Sequence, residues 1–140
     1  MIKSARVIDQ HKPALFYFLA VDARIKFGIT TNWERRYKQY QKDLGEFAVR
    51  PFKTEHYEHR WQAELVEQVL KWRLWDFITH DEHEWVEHLP IDTILHVYRE
   101  TRDQLRPEFE KHRHIHTRLE DRWGYYKQLA DYQFKKAMGQ

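Results

Sequence analysis

A chain of 140 residues, 41% hydrophobic and 33% charged, is long enough for one hydrophobic core and too short for two independent ones. It contains no cysteine, which excludes a disulfide framework, a thiolate zinc site and a cysteine nucleophile. The longest apolar run, Ala14–Val21, is about ten residues shorter than a membrane helix requires, and the first residues lack the apolar stretch of a signal peptide. We therefore expect a soluble, cytoplasmic protein with no membrane partner.

Charge is unevenly distributed along the chain. Residues 1–60 contain 12 basic and 7 acidic side chains, whereas residues 61–106 contain 5 basic and 10 acidic ones. A basic segment beside an acidic one is typical of a phosphate-binding face next to a cation-binding face. Many ordinary globular proteins show the same asymmetry, so the charge pattern alone leaves both interpretations open.

Residues 13–44 predict a β-hairpin followed by a helix. Ala14–Val21 is short, apolar and aromatic, as a strand buried on both faces is, and Arg24–Ile29 alternates with a period of two. Thr31 and Glu34 have the spacing of a capping box, which predicts the start of a helix. The helix is expected to end at Gly45 and to bury the stripe Trp33, Tyr37, Tyr40 and Leu44.

The rest of the chain predicts one more strand and further helices. Residues 47–57 read as a third strand in which Pro51 implies a bulge or an edge position. Residues 59–77 predict a largely buried helix, with Trp75 and Phe77 among its apolar residues, and Trp85–Val86 a short strand.

The C-terminal third predicts helices. A helix is expected over residues 91–105, and its apolar side would be Ile91, Leu95, Tyr98 and Leu105. Residues 107–138 read as a long helix interrupted at Gly124. We divide the chain into a peripheral segment (1–12), a principal domain (13–90) and a helical extension packed on it (91–140).

Two positions combine charge with an apolar surface. Arg36 flanks the buried stripe of the first helix, where its guanidinium could fork onto a phosphate, lie over Tyr40 or pair with a nearby carboxylate. Glu64 and Glu67 fall in a narrow polar band of the second helix. Glu67 could hold Mg²⁺ or pair with Lys71 four residues later. Tyr17, inside the first strand, is most simply a core aromatic.

Ten histidines do not predict a metal site. His80 with His83, or His112 with His116, could bind Zn²⁺ or Ni²⁺, but no third ligand has a recognisable spacing. We expect these histidines to be solvated.

The order of these elements resembles the GIY-YIG nuclease family. Leu15-Phe16-Tyr17 stands where the first signature would be, and Lys26-Phe27-Gly28 where the second would be, with Arg36 eight residues after the glycine. The stretch from Lys26 to Arg36 is similar to the branch common in phages and large DNA viruses, in which the second signature begins with Lys. Glu67 and the Glu84-Trp85 pair match later landmarks of that branch, and the likeness covers residues 13–88.

The resemblance implies a small three-stranded antiparallel sheet flanked by helices, an α+β fold, and hydrolysis of a DNA phosphodiester with Mg²⁺ or Mn²⁺. Tyr17 would be the general base or would orient the attacking water, and Lys26 would lower its pKa. Arg36 would stabilise the phosphorane charge and Glu67 would hold the metal. We assign substrate contacts to Arg35, Lys38 and Tyr40.

Two other functions remain open at this point. Leu15 replaces the first glycine and Tyr40 replaces a histidine that many members have, so the chain could be a nucleic-acid-binding module without strong catalysis. The helix over residues 107–138 could instead join two copies in a homodimer. It could also widen the DNA footprint through Arg113, Arg118, Arg122 and Lys127.

Overall fold

The computed structural model describes residues 11–79 and 84–111. The elements follow in the order β1 (Ala14–Val21), β2 (Arg24–Thr30), α1 (Trp33–Leu44), β3 (Arg50–Tyr57), α2 (Arg60–Arg73), a 3-10 turn (Trp75–Phe77) and α3 (Ile91–Lys111). The strands form one antiparallel sheet in the order β2–β1–β3. The predicted fold class, α+β with a three-stranded antiparallel sheet and flanking helices, is confirmed.

The predicted hairpin is formed by β1 and β2. Asp22 follows the last residue of β1 and has a φ of 54°, a left-handed conformation that aspartate tolerates better than most residues. The register places Tyr17 opposite Gly28 and Val21 opposite Arg24. Side chains alternate between the faces of a strand, so these four residues belong to the same face of the sheet.

The two faces of the central strand pack against different partners, which explains why β1 is apolar throughout. Phe16 and Phe18 point into the larger core cluster, to which α2 and α3 contribute. Tyr17, Leu19 and Val21 belong to a smaller cluster on the opposite face. That smaller cluster is completed by Val49 and Trp85 and by the predicted stripe of α1, Trp33, Tyr37, Tyr40 and Leu44.

The start of α1 differs from the prediction. Asn32, not Thr31, is the N-cap residue, and its side-chain oxygen accepts a hydrogen bond of 3.1 Å from the backbone N–H of Arg35. Asn32 is itself held by a 3.0 Å bond from its backbone N–H to the Thr30 hydroxyl. Asparagine is at least as good a cap as threonine, so the chain starts its helix one residue later. The predicted end at Gly45 is confirmed, with a φ of 103°.

Pro51 has both consequences that the sequence suggested. β3 pairs only with β1 and is an edge strand, and the register shifts between Phe18, opposite Lys53, and Leu19, opposite Pro51. Proline has no N–H to offer to a ladder, so an edge strand with a bulge accommodates it. The strand begins at Arg50 rather than at residue 47, and Phe47 is 89% exposed.

The later helices depart from their predicted limits. α2 ends at Arg73 and a separate 3-10 turn follows, in which Trp75 is 49% exposed, so the expectation of one buried helix to residue 77 is wrong at its end. Trp85–Val86 adds no full strand, but Val86 bridges Ile25 of β2 and Ile78.

The third helix is longer than predicted. α3 continues through Pro107 to Lys111 rather than stopping at residue 105. Its buried side is Ile94, Val97, Tyr98, Thr101 and Leu105, whereas Ile91 is 39% exposed and Leu95 only partly buried.

The helix α3 supplies part of the main core, although the sequence assigned it to an extension. Ile94, Val97, Tyr98 and Leu105 all belong to the larger cluster. The interruption at Gly124, the basic residues after 112 and the proposed dimer contact lie outside the described residues. Within the described part of the chain, no helix is both long and apolar enough to cross a bilayer.

A buried arginine, Arg73, and a half-buried one, Arg102, differ in the charge of their hydrogen-bond partners. Arg73 is 4% exposed and donates to Thr101 Oγ1 at 2.6 Å and to Gln104 Oε1 at 2.5 Å, while its Nε has no partner among the described residues. Burial lowers the pKa of Arg73 to about 10. Arg102 instead donates to Glu55 Oε2 at 2.7 Å, and Glu55 also accepts a hydrogen bond from Tyr98.

We expect Arg73→Met to leave the free energy of unfolding unchanged or to raise it by about 1 kcal/mol, because methionine removes a buried charge that lacks a carboxylate partner. Thr101 keeps its 2.7 Å bond to the Val97 carbonyl. Arg102→Met should lower the free energy of unfolding by about 2 kcal/mol, because it leaves Glu55 partly buried without its cation. Urea denaturation of both variants checks this, and equal losses would contradict it.

Candidate active site

The phenol of Tyr17 lies directly over Gly28 of the neighbouring strand. A Cβ atom at position 28 would be 2.6 Å from the Tyr17 hydroxyl oxygen and 2.9 Å from its Cζ. Both distances are shorter than van der Waals contact, so only glycine leaves room for the ring. Gly28 therefore sets where the Tyr17 ring lies.

The Tyr17 hydroxyl is bonded to a second phenol. Its oxygen lies 2.7 Å from the hydroxyl oxygen of Tyr40, which α1 brings to the sheet. The Trp33 ring packs 5.2 Å from the Tyr17 ring, and the Tyr37 ring stacks on Trp33 at 5.3 Å. These contacts enclose Tyr17 so that only 2% of it is exposed.

Three charged or polar groups of α1 and α2 act on Tyr17. Burial raises its pKa well above the ordinary value of 10.0, and Tyr40 of α1 raises it further. Arg36 of α1 lowers the pKa and Glu67 of α2 raises it, so both charges lie within electrostatic reach of the phenol. Because the raising effects are larger, Tyr17 is a neutral phenol at physiological pH.

Arg36 is the exposed member of this group. It follows the capped start of α1, and its backbone N–H donates to the Asn32 carbonyl at 3.1 Å, so its position on the helix is fixed. Among the described residues its side chain has no ion-pair or hydrogen-bond partner, and the alternative of pairing with a nearby carboxylate is therefore not realised. A guanidinium without such partners has all its N–H donors available to bind a ligand.

Glu67 is a partly buried carboxylate of α2. Burial raises its pKa from 4.5 to about 7, and the negative charges of Glu64 and Glu84 raise it as well, against the lowering effect of Lys71 and Arg60. Lys71 forms its ion pair with Glu84, at 2.8 Å. The alternative that Lys71 neutralises Glu67 by direct pairing is therefore wrong, because the ammonium turns to a different carboxylate.

The chemistry of this carboxylate fits a hydrated divalent ion. Mg²⁺ takes one or two protein carboxylates and completes its coordination with water and phosphate oxygens, so it does not need a cage of side chains. Glu67 offers one such carboxylate with no ion pair in the described part of the chain, and Glu64 lies one turn before it. No group of three or more His, Asp or Glu residues that could hold a metal occurs in residues 11–79 and 84–111.

The remaining predicted site residues are Lys26 of β2 and Arg35 and Lys38 of α1. Lys26 is opposite Leu19, two residues along β2 from Gly28, and its ammonium is 5.4 Å from the centre of the Trp85 ring. Arg36 is a cation that lowers the pKa of Tyr17, whereas the same effect of Lys26 stays a prediction. Arg35 and Lys38 are exposed on the outer side of α1, where Lys38 lies 3.8 Å from Glu34.

Two features of this region were not found from the sequence. The close contact between Tyr17 and Gly28 requires the strand register, which spacing alone does not give. The second feature is the N-cap of α1: the sequence predicts Thr31, whereas the structure has Asn32. Asparagine is a strong N-cap residue, so the residue type of Asn32 could have indicated this. His80, His83, His112 and His116 lie outside the described residues.

Comparisons with known proteins identify no relative. No protein-family model matches this chain, and searches of curated proteins and of solved structures found no match. The resemblance therefore stands on the residues of this chain and on the arrangement just described.

We expect Gly28→Ala to lower the free energy of unfolding by about 1–3 kcal/mol, because the new methyl group displaces the Tyr17 ring from its place against Tyr40. In a Tyr17→Leu background the same substitution should cost at least 1 kcal/mol less, because the ring that it strikes is absent. A double-mutant cycle in urea measures this coupling. Additive losses would show that the phenol does not require the glycine.

The raised pKa of Glu67 predicts how stability depends on pH. Between its ordinary value of 4.5 and about 7 the folded protein binds the proton that the unfolded chain releases, so stability is lost as pH rises through this range. Relative to Glu67→Gln, which cannot titrate, the native protein should lose on the order of 2 kcal/mol over that window. Thermal and urea unfolding at several pH values check this, and parallel profiles would exclude a perturbed Glu67.

Proposed function

We propose that this protein is a metal-dependent endonuclease that hydrolyses DNA phosphodiester bonds, the activity that the GIY-YIG resemblance implies. One observation carries the proposal: a guanidinium of α1, Arg36, and a carboxylate of α2, Glu67, both act electrostatically on the buried phenol of β1, Tyr17. Phosphodiester hydrolysis requires a group that directs water, a cation for the developing charge and a site for a divalent ion. Each of the three residues matches one of these requirements.

Tyr17 would orient the attacking water rather than act as an anionic base. Its pKa is raised by burial, so the phenol keeps its proton at neutral pH. When Tyr17 donates its hydrogen to Tyr40, a lone pair on its oxygen remains to accept a hydrogen bond from water. This arrangement aligns a water molecule without requiring the phenolate.

Arg36 would bind the scissile phosphate and stabilise the charge of the phosphorane. Its side chain is exposed and has no carboxylate partner in the described residues, so no existing ion pair must be broken when the phosphate arrives. A guanidinium binds two phosphate oxygens at once and remains charged throughout the reaction.

Glu67, with Glu64 one turn earlier, would hold the Mg²⁺ or Mn²⁺ ion. When bound, the ion would supply Lewis-acid stabilisation of the leaving oxygen. Because the pKa of Glu67 is about 7, many of its carboxyl groups are protonated at neutral pH, and a bound cation would displace this proton. Lys71 and Glu84 pair with each other and leave Glu67 available.

A nucleic-acid-binding module without cleavage is the second candidate, and the burial of Tyr17 favours it. Only 2% of this side chain is exposed, and the ring lies between Gly28, Trp33 and Tyr40. If the phenol stays enclosed when DNA binds, it cannot contact a water molecule at the phosphate. The positive N-terminal segment would then serve binding alone.

Supercoiled plasmid, incubated with Mg²⁺ or Mn²⁺, distinguishes the candidates. The endonuclease proposal predicts nicking that EDTA abolishes. Arg36→Ala and Glu67→Gln should each reduce the rate at least about 100-fold, because each removes charge stabilisation from the transition state. Tyr17→Phe should reduce it strongly with unchanged DNA affinity. Arg99→Ala, an exposed arginine of α3, is the matched control and should retain the rate.

Salt-dependent binding with no nicking under either metal would establish the second candidate. Metal-dependent nicking that survives both Arg36→Ala and Glu67→Gln would remove these residues from the mechanism. A protein that neither binds nor cuts DNA would contradict both functions.

A further inference from the structure

Two cationic side chains lie against the indole ring of Trp85, beside the candidate active site. The guanidinium carbon of Arg24 lies 4.3 Å from the centre of the indole ring, and the Lys26 ammonium lies 5.4 Å from it. We call these three residues the Trp85 platform. Tryptophan is the best aromatic partner for a cation, so the ring limits the motion of both side chains.

The ring is firmly positioned. Trp85 is 4% exposed and belongs to the smaller core cluster with Tyr17, Leu19 and Val21. Its backbone N–H donates to the Thr79 hydroxyl at 2.9 Å, and its carbonyl accepts from the Thr79 N–H at 2.8 Å. The next residue pairs with Ile25 of β2 through bonds of 2.7 and 3.0 Å. The segment that carries the indole is thus fixed to the edge of the sheet.

In the Trp85 platform, the N–H donors at the edge of the Arg24 guanidinium are available to bind a ligand. A guanidinium that lies against a ring uses its flat face, whereas its N–H donors point outward in the plane. The Arg24 side chain makes no ion pair or hydrogen bond with another described residue. This is the chemistry of a phosphate-binding site.

The platform belongs to the same surface as the candidate active site. Arg24, Lys26 and Gly28 pair with Val21, Leu19 and Tyr17, so they lie on the face that carries the phenol. Three residues of β2 lie between Arg24 and Gly28, so the two positions are about 13 Å apart along the strand. That length is the rise of about four nucleotides of one DNA strand. Glu84, directly before Trp85, is paired with Lys71 of α2 and raises the pKa of Glu67.

We propose that the Trp85 platform is a phosphate-binding subsite, which holds the DNA backbone a few nucleotides from the phosphate that reacts. The inference rests on the proposed function, because it places the platform beside the scissile bond. It also makes a separate statement about affinity: Arg24 binds a non-reacting phosphate with its fork of donors, and the indole keeps that fork in position.

Binding of a fluorescein-labelled 30-base-pair duplex, followed by anisotropy in EDTA at several salt concentrations, tests the platform without cleavage. Arg24→Gln should weaken binding about 5-fold and reduce the slope of log K against log salt by about 0.9, the loss of one phosphate contact. Arg24→Lys should keep the slope and bind about 2-fold more weakly, because ammonium lacks the fork. Arg99→Gln on α3 is the matched control and should keep both affinity and slope.

The outcomes separate this inference from the proposed function. If Arg24→Gln and Arg99→Gln bind alike while plasmid nicking by the native protein is intact, the platform is a structural cation–π contact and the nuclease proposal stands. If the slope changes as expected but no nicking occurs, the subsite stands and the module only binds DNA. Absence of DNA binding by the native protein overturns both. Circular dichroism and thermal unfolding of each variant show that affinity is compared between folded proteins.

Discussion

The contact between the Tyr17 ring and the bare Cα of Gly28 is the constraint on which the candidate site depends. It requires antiparallel pairing of β1 and β2 in the observed register, because a shift by one residue would turn the phenol to the other face. The ring in this position reaches the Tyr40 hydroxyl, which links the sheet to α1. Arg36 lies near the start of α1, shortly after the N-cap residue Asn32. The absence of a Cβ atom at Gly28 thus helps to fix the position of the Tyr17 phenol relative to α1, which carries Arg36.

The two faces of the sheet have different surroundings. Phe16 and Phe18 pack into the larger core with α2 and α3, where Glu55 accepts a hydrogen bond from Arg102. The opposite face holds a smaller cluster whose margins carry charge: Arg36 on α1, and Arg24 and Lys26 on Trp85. α2 contributes to both, because its apolar residues enter the core while Glu67 acts on Tyr17.

Periodicity was sufficient to predict β1, β2 and the stripe of α1, because burial on one or two faces leaves a regular pattern in the sequence. It could not choose between Thr31 and Asn32 as the cap, since both residue types bond to free N–H groups. Periodicity also did not predict that α3 continues through Pro107. Packing of Tyr98 and Leu105 in the larger core stabilises this helix beyond its local propensity. The charged residues of the site were selected through the resemblance, whereas the ion pair between Lys71 and Glu84 depends on tertiary structure.

Each border of the sheet carries a feature that hinders the addition of a further strand. On the β2 side, Val86 occupies the N–H and carbonyl of Ile25. On the β3 side, Pro51 offers no donor and the bulge opposite Phe18 and Leu19 disrupts the regular ladder. Long, regular edge strands invite pairing between copies and the growth of fibrils. These two features shorten the regular edge that another chain could pair with.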